Sequence, residues 1–151
     1  MVQTLNFFLV DDDTDDILLF KDVLKEVNPS IIFNSAEDGQ QAIQFLKTNN
    51  SNLPDVIFLD LNMPRMDGKQ CLAEIKKDER LHKIPVIIYT TSSQSKDIEE
   101  SIQKGALCFI TKPSNIKELR NIISSIAGNV HNNLEKSLRH LSNTSSTFIV
   151  C

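Results

Sequence analysis

Short apolar runs ending in polar residues alternate along this chain with longer stretches whose apolar positions recur every three or four residues. Leu5 to Val10, "LNFFLV", is a short apolar run and fits a strand buried on both faces. Behind it, Ile17, Phe20, Leu24 and Val27 form one stripe of a helix over Asp16 to Val27, which Asp13 or Thr14 can cap and Asn28–Pro29 stops. "SIIFNS" predicts a second strand, and Ala42, Ile43, Phe45 and Leu46 a second helical face. After the polar break "NSNLP", Asp55 to Asp60, "DVIFLD", is a third strand. The segment "LNMPRMDG" has the Asn, Pro and Gly content of a loop. A helix over Lys69 to Lys77 follows, then a strand within "IPVIIYTTSS" and a helix over Lys96 to Lys104 that Gly105 is placed to end. "ALCFITKPS" holds the fifth strand. Ser114 is the expected cap of a last helix with Ile116, Leu119, Ile122, Ile123 and Ile126 inside.

Apolar strands alternating with amphipathic helices imply βαβ units, and therefore a parallel sheet covered on both faces. The expected fold is α/β: a five-stranded parallel sheet, doubly wound in the flavodoxin-like manner. One domain spans 1–128, and 129–151 is a C-terminal extension. In such folds sites form beyond the carboxyl ends of the strands, where the strand order switches.

Composition agrees with one soluble domain: 151 residues, 40% hydrophobic and 24% charged. No apolar run is long enough to span a membrane, and the N-terminus lacks the basic region and cleavage site of a signal peptide, so a cytoplasmic protein is expected. A net charge of −4 gives no basic face for direct nucleic-acid binding. Cys71, Cys108 and Cys151 lie far apart without a CxxC, and read as reduced thiols. His82, His131 and His140 have no ligand spacing and read as surface residues.

The chemistry gathers at the strand ends. Strand one runs into "DDDTDD", five aspartates in six residues. Two such charges about 4 Å apart in a partly buried site repel by roughly 4 kcal/mol. A hard divalent cation offsets that repulsion, and Mg²⁺ suits a site with few carboxylates and room for water or phosphate oxygens. Helix capping is the competing role: it is assigned to Asp13, Thr14, Asp15 and Asp16, and metal chemistry to Asp11 and Asp12. Asp60 stands alone at the end of strand three, where a carboxylate can attack phosphorus. Strand four ends in Thr90 and Thr91, and strand five leads to Lys112. Cation, ammonium and hydroxyl would then each meet one phosphoryl oxygen.

"LVDD", "DLNMPRMDG", "IIYTT" and "TKP", in this order, resemble the receiver domain of bacterial response regulators. The resemblance runs from about Leu5 to Ala127 and is nearest to stand-alone receivers paired with phytochrome-type kinases. It implies that Asp60 is the phosphoacceptor of a two-component or phosphorelay system, charged by a histidine kinase or histidine phosphotransfer protein. Mg²⁺ would be held by Asp12 and Asp60, by the Asn62 backbone carbonyl, and by Asp11 mainly through water. Lys112 would bridge to the phosphoryl group, Thr90 would be the switch hydroxyl, and Phe109 the aromatic that turns inward with it. Thr91 stands where the family favours a small residue. Such a protein catalyses its own phosphorylation and dephosphorylation rather than acting as an enzyme on a separate substrate, and signals to a downstream protein or passes the phosphate on.

Two other readings stay open at this point. A pseudo-receiver would bind partners without phosphorylation. A haloacid-dehalogenase-type phosphatase carries DxDx[TV]; Asp11 and Asp13 fit, but position 15 is Asp, and "DLNMPRMDG" is left unexplained. Only 24 residues follow Ala127, too few for a further DNA-binding or enzymatic domain. In that tail Gly128 and Asn129 are placed to close the last helix, and Val130, Leu134, Leu138 and Leu141 keep helical spacing. After "SNTSST", the apolar Phe148 to Val150 is a candidate for docking on its own domain or on a twin chain as a homodimer contact. Arg65 is expected in solvent beside the site, facing a kinase.

Overall fold

A computed structural model describes residues 4–49 and 51–151. Strands β1 (Asn6–Val10), β2 (Ile32–Ala36), β3 (Val56–Leu59), β4 (Val86–Thr90) and β5 (Cys108–Thr111) alternate with helices α1 (Thr14–Val27), α2 (Gly39–Thr48), α3 (Gly68–Lys77), α4 (Ser95–Gln103) and α5 (Ile116–Asn129). Helix α6 (Leu134–Thr144) and strand β6 (Ile149–Val150) complete the chain. The sheet order is β2-β1-β3-β4-β5-β6. The first five strands are parallel, as their apolar runs imply, and β6 adds an antiparallel edge that makes the sheet six-stranded.

Two cores cover the two faces. One packs α1, α5 and α6 on the sheet through Phe20, Leu24, Ile122, Ile126 and Leu138; the other packs α2 and α3 through Leu46, Leu72 and Ile75. Strand residues alternate between them: Phe7 and Leu9 face the first, Phe8 and Val10 the second. Because β1 lies between β2 and β3, the connections leave it in opposite directions, and the crevice of the doubly wound fold opens at its carboxyl end.

Local chemistry sets the helix ends. The Asp13 carboxylate accepts the amides of Asp15 and Asp16 and caps α1. On α1 the buried stripe is Ile17, Phe20, Val23 and Leu24; Val27, in the last turn, is only partly covered. Gly105, at φ 108°, turns the chain out of α4 in the left-handed region open to glycine. The cap of α5 is Asn115, not Ser114: the Asn115 side-chain Oδ1 accepts the Glu118 amide at 2.8 Å, three residues on, a reach Ser114 lacks from one position earlier.

The tail is folded. Val130 lies in the turn between helices rather than in α6, which starts at Leu134 behind Asn133 at φ 62°. Leu134 and Leu138 are buried against α5, with Val130 and Leu141 partly covered beside them. The chain then returns to its own domain: Ile149 pairs with Ile110, and Val150 with Phe109. This return corrects the expectation of three reduced thiols. Cys108 and Cys151 form a disulfide with Cα atoms 4.0 Å apart, and only Cys71, buried under α2, is free. Their separation of 43 positions conceals a contact that exists only because β6 runs back along β5.

Candidate functional site

Three carboxylates meet where β1 and β3 end. Asp11, Asp12 and Asp60 each place an oxygen within 4.8 Å of the others. The parallel register sets this up: Val10 lies opposite Leu59, and the Asp60 amide donates to the Val10 carbonyl at 2.9 Å, so the next residue of each strand projects into the crevice. Asp11 is fully buried, Asp60 nearly so, and Asp12 is exposed. One buried, one nearly buried and one open oxygen donor form a hard-oxygen set that fits a divalent cation with water access.

Lys112 follows β5 into the same crevice. Its Nζ lies 2.7 Å from Asp11 Oδ2, 2.7 Å from Asp16 Oδ2 and 3.7 Å from Asp60 Oδ2. The contact with Asp16 is a directed hydrogen bond. That with Asp11 is a close ion pair, whose carboxylate oxygen finds no hydrogen-bond partner at a good angle. Burial pushes the Asp11 carboxyl up to about 6, against the opposing pull of Lys112 and of the Asp13 amide. Burial alone would lower the Lys112 ammonium, but the Asp11 and Asp16 carboxylates outweigh it and hold the group above the ordinary lysine range. The lysine is therefore cationic across the physiological range. Asp16, read from sequence as a capping residue, is a partner of Lys112; the cap is Asp13.

Thr90 closes β4. It is fully buried, and its hydroxyl has no hydrogen-bond partner. Its carbonyl accepts the Lys112 amide at 2.7 Å, so the hydroxyl-bearing and lysine-bearing strand ends are tied together. Thr91 is exposed. The Phe109 ring is fully inside the second core, between Ile88 on β4 and Val150 on β6 in register. Asn62 is exposed beside Asp60 and lines an open cleft of about 520 Å³ with Asp12, Met63, Asp67, Lys69 and Asp97.

Two walls of this cleft had no local sequence signal. Lys69, in the first turn of α3, lies 2.7 Å from both Asp97 and Glu100 of α4, and the Asp97 carboxylate accepts the Ser92 hydroxyl at 2.6 Å. These bonds hold the Asp97 carboxyl below its usual range, with Lys69 the larger cause. They strap the loop after Thr90 to α3. The loop after β3 is held from the other side. Arg65, at φ 66°, places Nη1 2.5 Å from Asp38 Oδ2, so it serves the N-cap of α2 although its side chain is largely exposed.

The family model for the response regulator receiver domain matches residues 7–124. The chain belongs to that family. Response regulator Rcp1 of Synechocystis sp. is 37% identical over 122 residues, covering 78% of this chain and 83% of that protein. The crystal structure of the phosphorylated cyanobacterial phytochrome response regulator RcpA is 36% identical, with a TM-score of 0.76 over 82% of this chain and 91% of that one. The Mn²⁺-bound form of Rcp1 is 35% identical, with a TM-score of 0.73 over 82% and 92%. The protein is thus a receiver-domain response regulator of two-component signalling, and its acidic crevice suits a divalent metal. Receiver membership sets aside the dehalogenase-type phosphatase, whose nucleophile would be the sealed, ion-paired Asp11. No helix among the described residues is long and apolar enough to cross a membrane.

Proposed function

We propose that Asp60 accepts a phosphoryl group from a phosphohistidine donor, with Mg²⁺ held by Asp12, Asp60 and the Asn62 backbone carbonyl, and with Asp11 behind them. The observation that carries this reading is the position of Asp60, nearly buried, 3.7 Å from a permanently cationic Lys112 and within 4.8 Å of two further carboxylates. An Asp60 oxygen forms a bond to phosphorus as the phosphorus–nitrogen bond of the donor breaks, and the imidazole leaves with a proton. The bound cation would neutralise charge on the phosphoryl oxygens. Lys112 takes a second oxygen by turning from Asp16 toward Asp60. A third meets the Thr90 hydroxyl, which has no internal bond to give up. Thr90 and Lys112 are tied through a backbone bond, so a shift of one moves the other and with it β5, the strand that carries Phe109. The protein catalyses its own phosphorylation and dephosphorylation and turns over no separate substrate.

The donor is a histidine kinase or histidine phosphotransfer protein in the cytoplasm. The likeness to RcpA, a cyanobacterial phytochrome response regulator, points to a kinase of the phytochrome type. The output is a changed surface for a downstream protein, or onward transfer of the phosphate.

Intact mass after acetyl phosphate treatment tests the assignment. Wild type with Mg²⁺ gains one labile phosphate; without Mg²⁺, or as Asp60→Asn, it gains none. Equal labelling of Asp60→Asn would remove Asp60 from the role. A wild type that never labels, with acetyl phosphate or with phosphorylated kinase, would make the protein a pseudo-receiver.

A further inference from the structure

Strand β6 has two residues, and three different contacts keep it on β5. The Thr111 amide donates to the Phe148 carbonyl at 3.0 Å. Ile149 is buried in the core beside Leu134 and Leu138. The covalent contact is the disulfide from Cys108, the first residue of β5, to Cys151 directly after β6. Upstream, the Glu118 carboxylate of α5 accepts the hydroxyls of Ser145 and Thr147. The tail therefore has a polar anchor at Ser145–Thr147 and a covalent one at Cys151, with the two-residue strand between them.

The two sulfurs are unequally reachable. Cys108 is fully buried, whereas Cys151 is partly exposed. Disulfides in reducing compartments are mostly transient and redox-sensing, and they open by attack of a thiolate on the accessible sulfur. We propose that Cys108–Cys151 is a thiol–disulfide exchange site, a clasp that an external dithiol reductant opens to release β6 from the edge of β5. A thiolate of the reductant attacks Cys151 Sγ, the Cys108–Cys151 bond breaks, and Cys108 leaves as a thiolate that takes a proton. The reductant's second thiolate then displaces Cys151 from the mixed disulfide. The chain gains two electrons and two protons as two thiols, and the reductant becomes a disulfide. A disulfide-bearing oxidant runs the same steps backward and closes the clasp.

Opening exposes the backbone edge of β5 at Phe109–Thr111, the strand that leads to Lys112. An uncovered edge is a template for pairing with another strand. The clasp thus decides whether that edge is covered by the protein's own tail. Glu118 still holds Ser145 and Thr147, so α6 keeps its place.

The test uses the full chain in dithiol/disulfide buffers of graded ratio, read by alkylation with intact mass and by amide hydrogen exchange. Oxidised protein should show one alkylatable thiol, Cys71, after denaturation, and reduced protein three. On reduction the Thr111 amide should exchange at least about tenfold faster, while amides of β1 and β3 stay unchanged. Cys151→Ser should show the fast Thr111 exchange in every buffer. Wild type under native reduction provides the same readout without a substitution. Three free thiols in protein held in oxidising buffer would overturn the proposal. So would a bond that native dithiol does not open, or a Thr111 amide that exchanges alike in both forms.

Discussion

A Cβ on Gly68 would lie 2.1 Å from the carbonyl oxygen of Asp60. The first residue of α3 is packed directly on the backbone of the candidate phosphoacceptor, and the Gly68 amide donates to the Leu61 carbonyl at 2.9 Å. No flexible side chain is available to yield, because the atoms in the way are the backbone of Asp60 and Leu61. Gly68→Ala should therefore cost about 1–3 kcal/mol of stability and lower phosphorylation by displacing Asp60. Gly128, inside α5 with open space around it, is the control: Gly128→Ala should stabilise by roughly 0.5–1 kcal/mol. Urea denaturation of both variants checks the contrast, and a Gly68→Ala protein as stable as wild type would contradict the close packing.

Lys112 is shared between Asp16, Asp11 and Asp60, at 2.7, 2.7 and 3.7 Å. Reaching a phosphoryl group on Asp60 means giving up the directed bond to Asp16. Asp16→Asn weakens that competitor, and a charge-assisted bond at a partly exposed site is worth about 1 kcal/mol, or roughly fivefold in binding. Beryllofluoride titrations followed by NMR should show about fivefold tighter binding for Asp16→Asn. Asp15→Asn, an exposed first-turn residue, should match wild type. If the two variants behave alike, Asp16 plays no part in holding the lysine.

The fold was legible because strand and helix periods differ, and β1, β3, β4 and β5 are nearly unbroken apolar runs, whereas β2 carries Asn34 and Ser35 in its interior. Asp11, Asp12, Asp60, Thr90 and Lys112 were legible for a related reason: each stands at or just past a strand end, and parallel strands put those ends on one edge. Asp16 and Lys112 are 96 positions apart, and the bond between them depends on a helix turn facing the loop after β5. No period in the sequence encodes that facing. Lys69 with Asp97 and Cys108 with Cys151 escaped for the same reason, being contacts between elements rather than within them. The tail strand escaped because two residues are too short for any alternation.

Asp12 is the exposed member of the acidic trio, and its carboxylate makes no hydrogen bond or ion pair among the described residues, with only the other two acids close by. Removing its charge relieves repulsion in the metal-free protein and deletes a ligand in the loaded one. Asp12→Asn should thus raise the Tm of metal-free protein, yet weaken Mg²⁺ binding by roughly tenfold or more, about 1.4 kcal/mol. Calorimetric melts with and without Mg²⁺ separate the two effects. An Asp12→Asn protein that gains as much thermal stability from Mg²⁺ as wild type would show that the ion does not need this side chain.

Glu118 connects the last two helices and the tail through hydrogen bonds from the hydroxyls of Ser145 and Thr147. These bonds favour the ionised carboxylate, with Ser145 the largest cause, and hold Glu118 below its ordinary value. A depressed carboxyl stabilises the folded tail at pH above its unfolded value. That contribution is fully present above about 4.5 and is lost as pH falls through the lower folded value. Acid should therefore loosen residues 145–151 before the sheet melts. The release should be larger in protein whose disulfide has been reduced, because Glu118 is then the main remaining polar anchor. Glu118→Gln keeps the shape but weakens acceptance of the two hydroxyls, so its tail should exchange faster at pH 7 and lack the acid-dependent release that wild type shows as pH falls well below about 4.5. Amide hydrogen exchange across residues 145–151, measured on wild type and Glu118→Gln from pH 7 to well below pH 4, gives the comparison. A tail whose protection in wild type shows no acid dependence beyond that of the variant would remove Glu118 as its anchor.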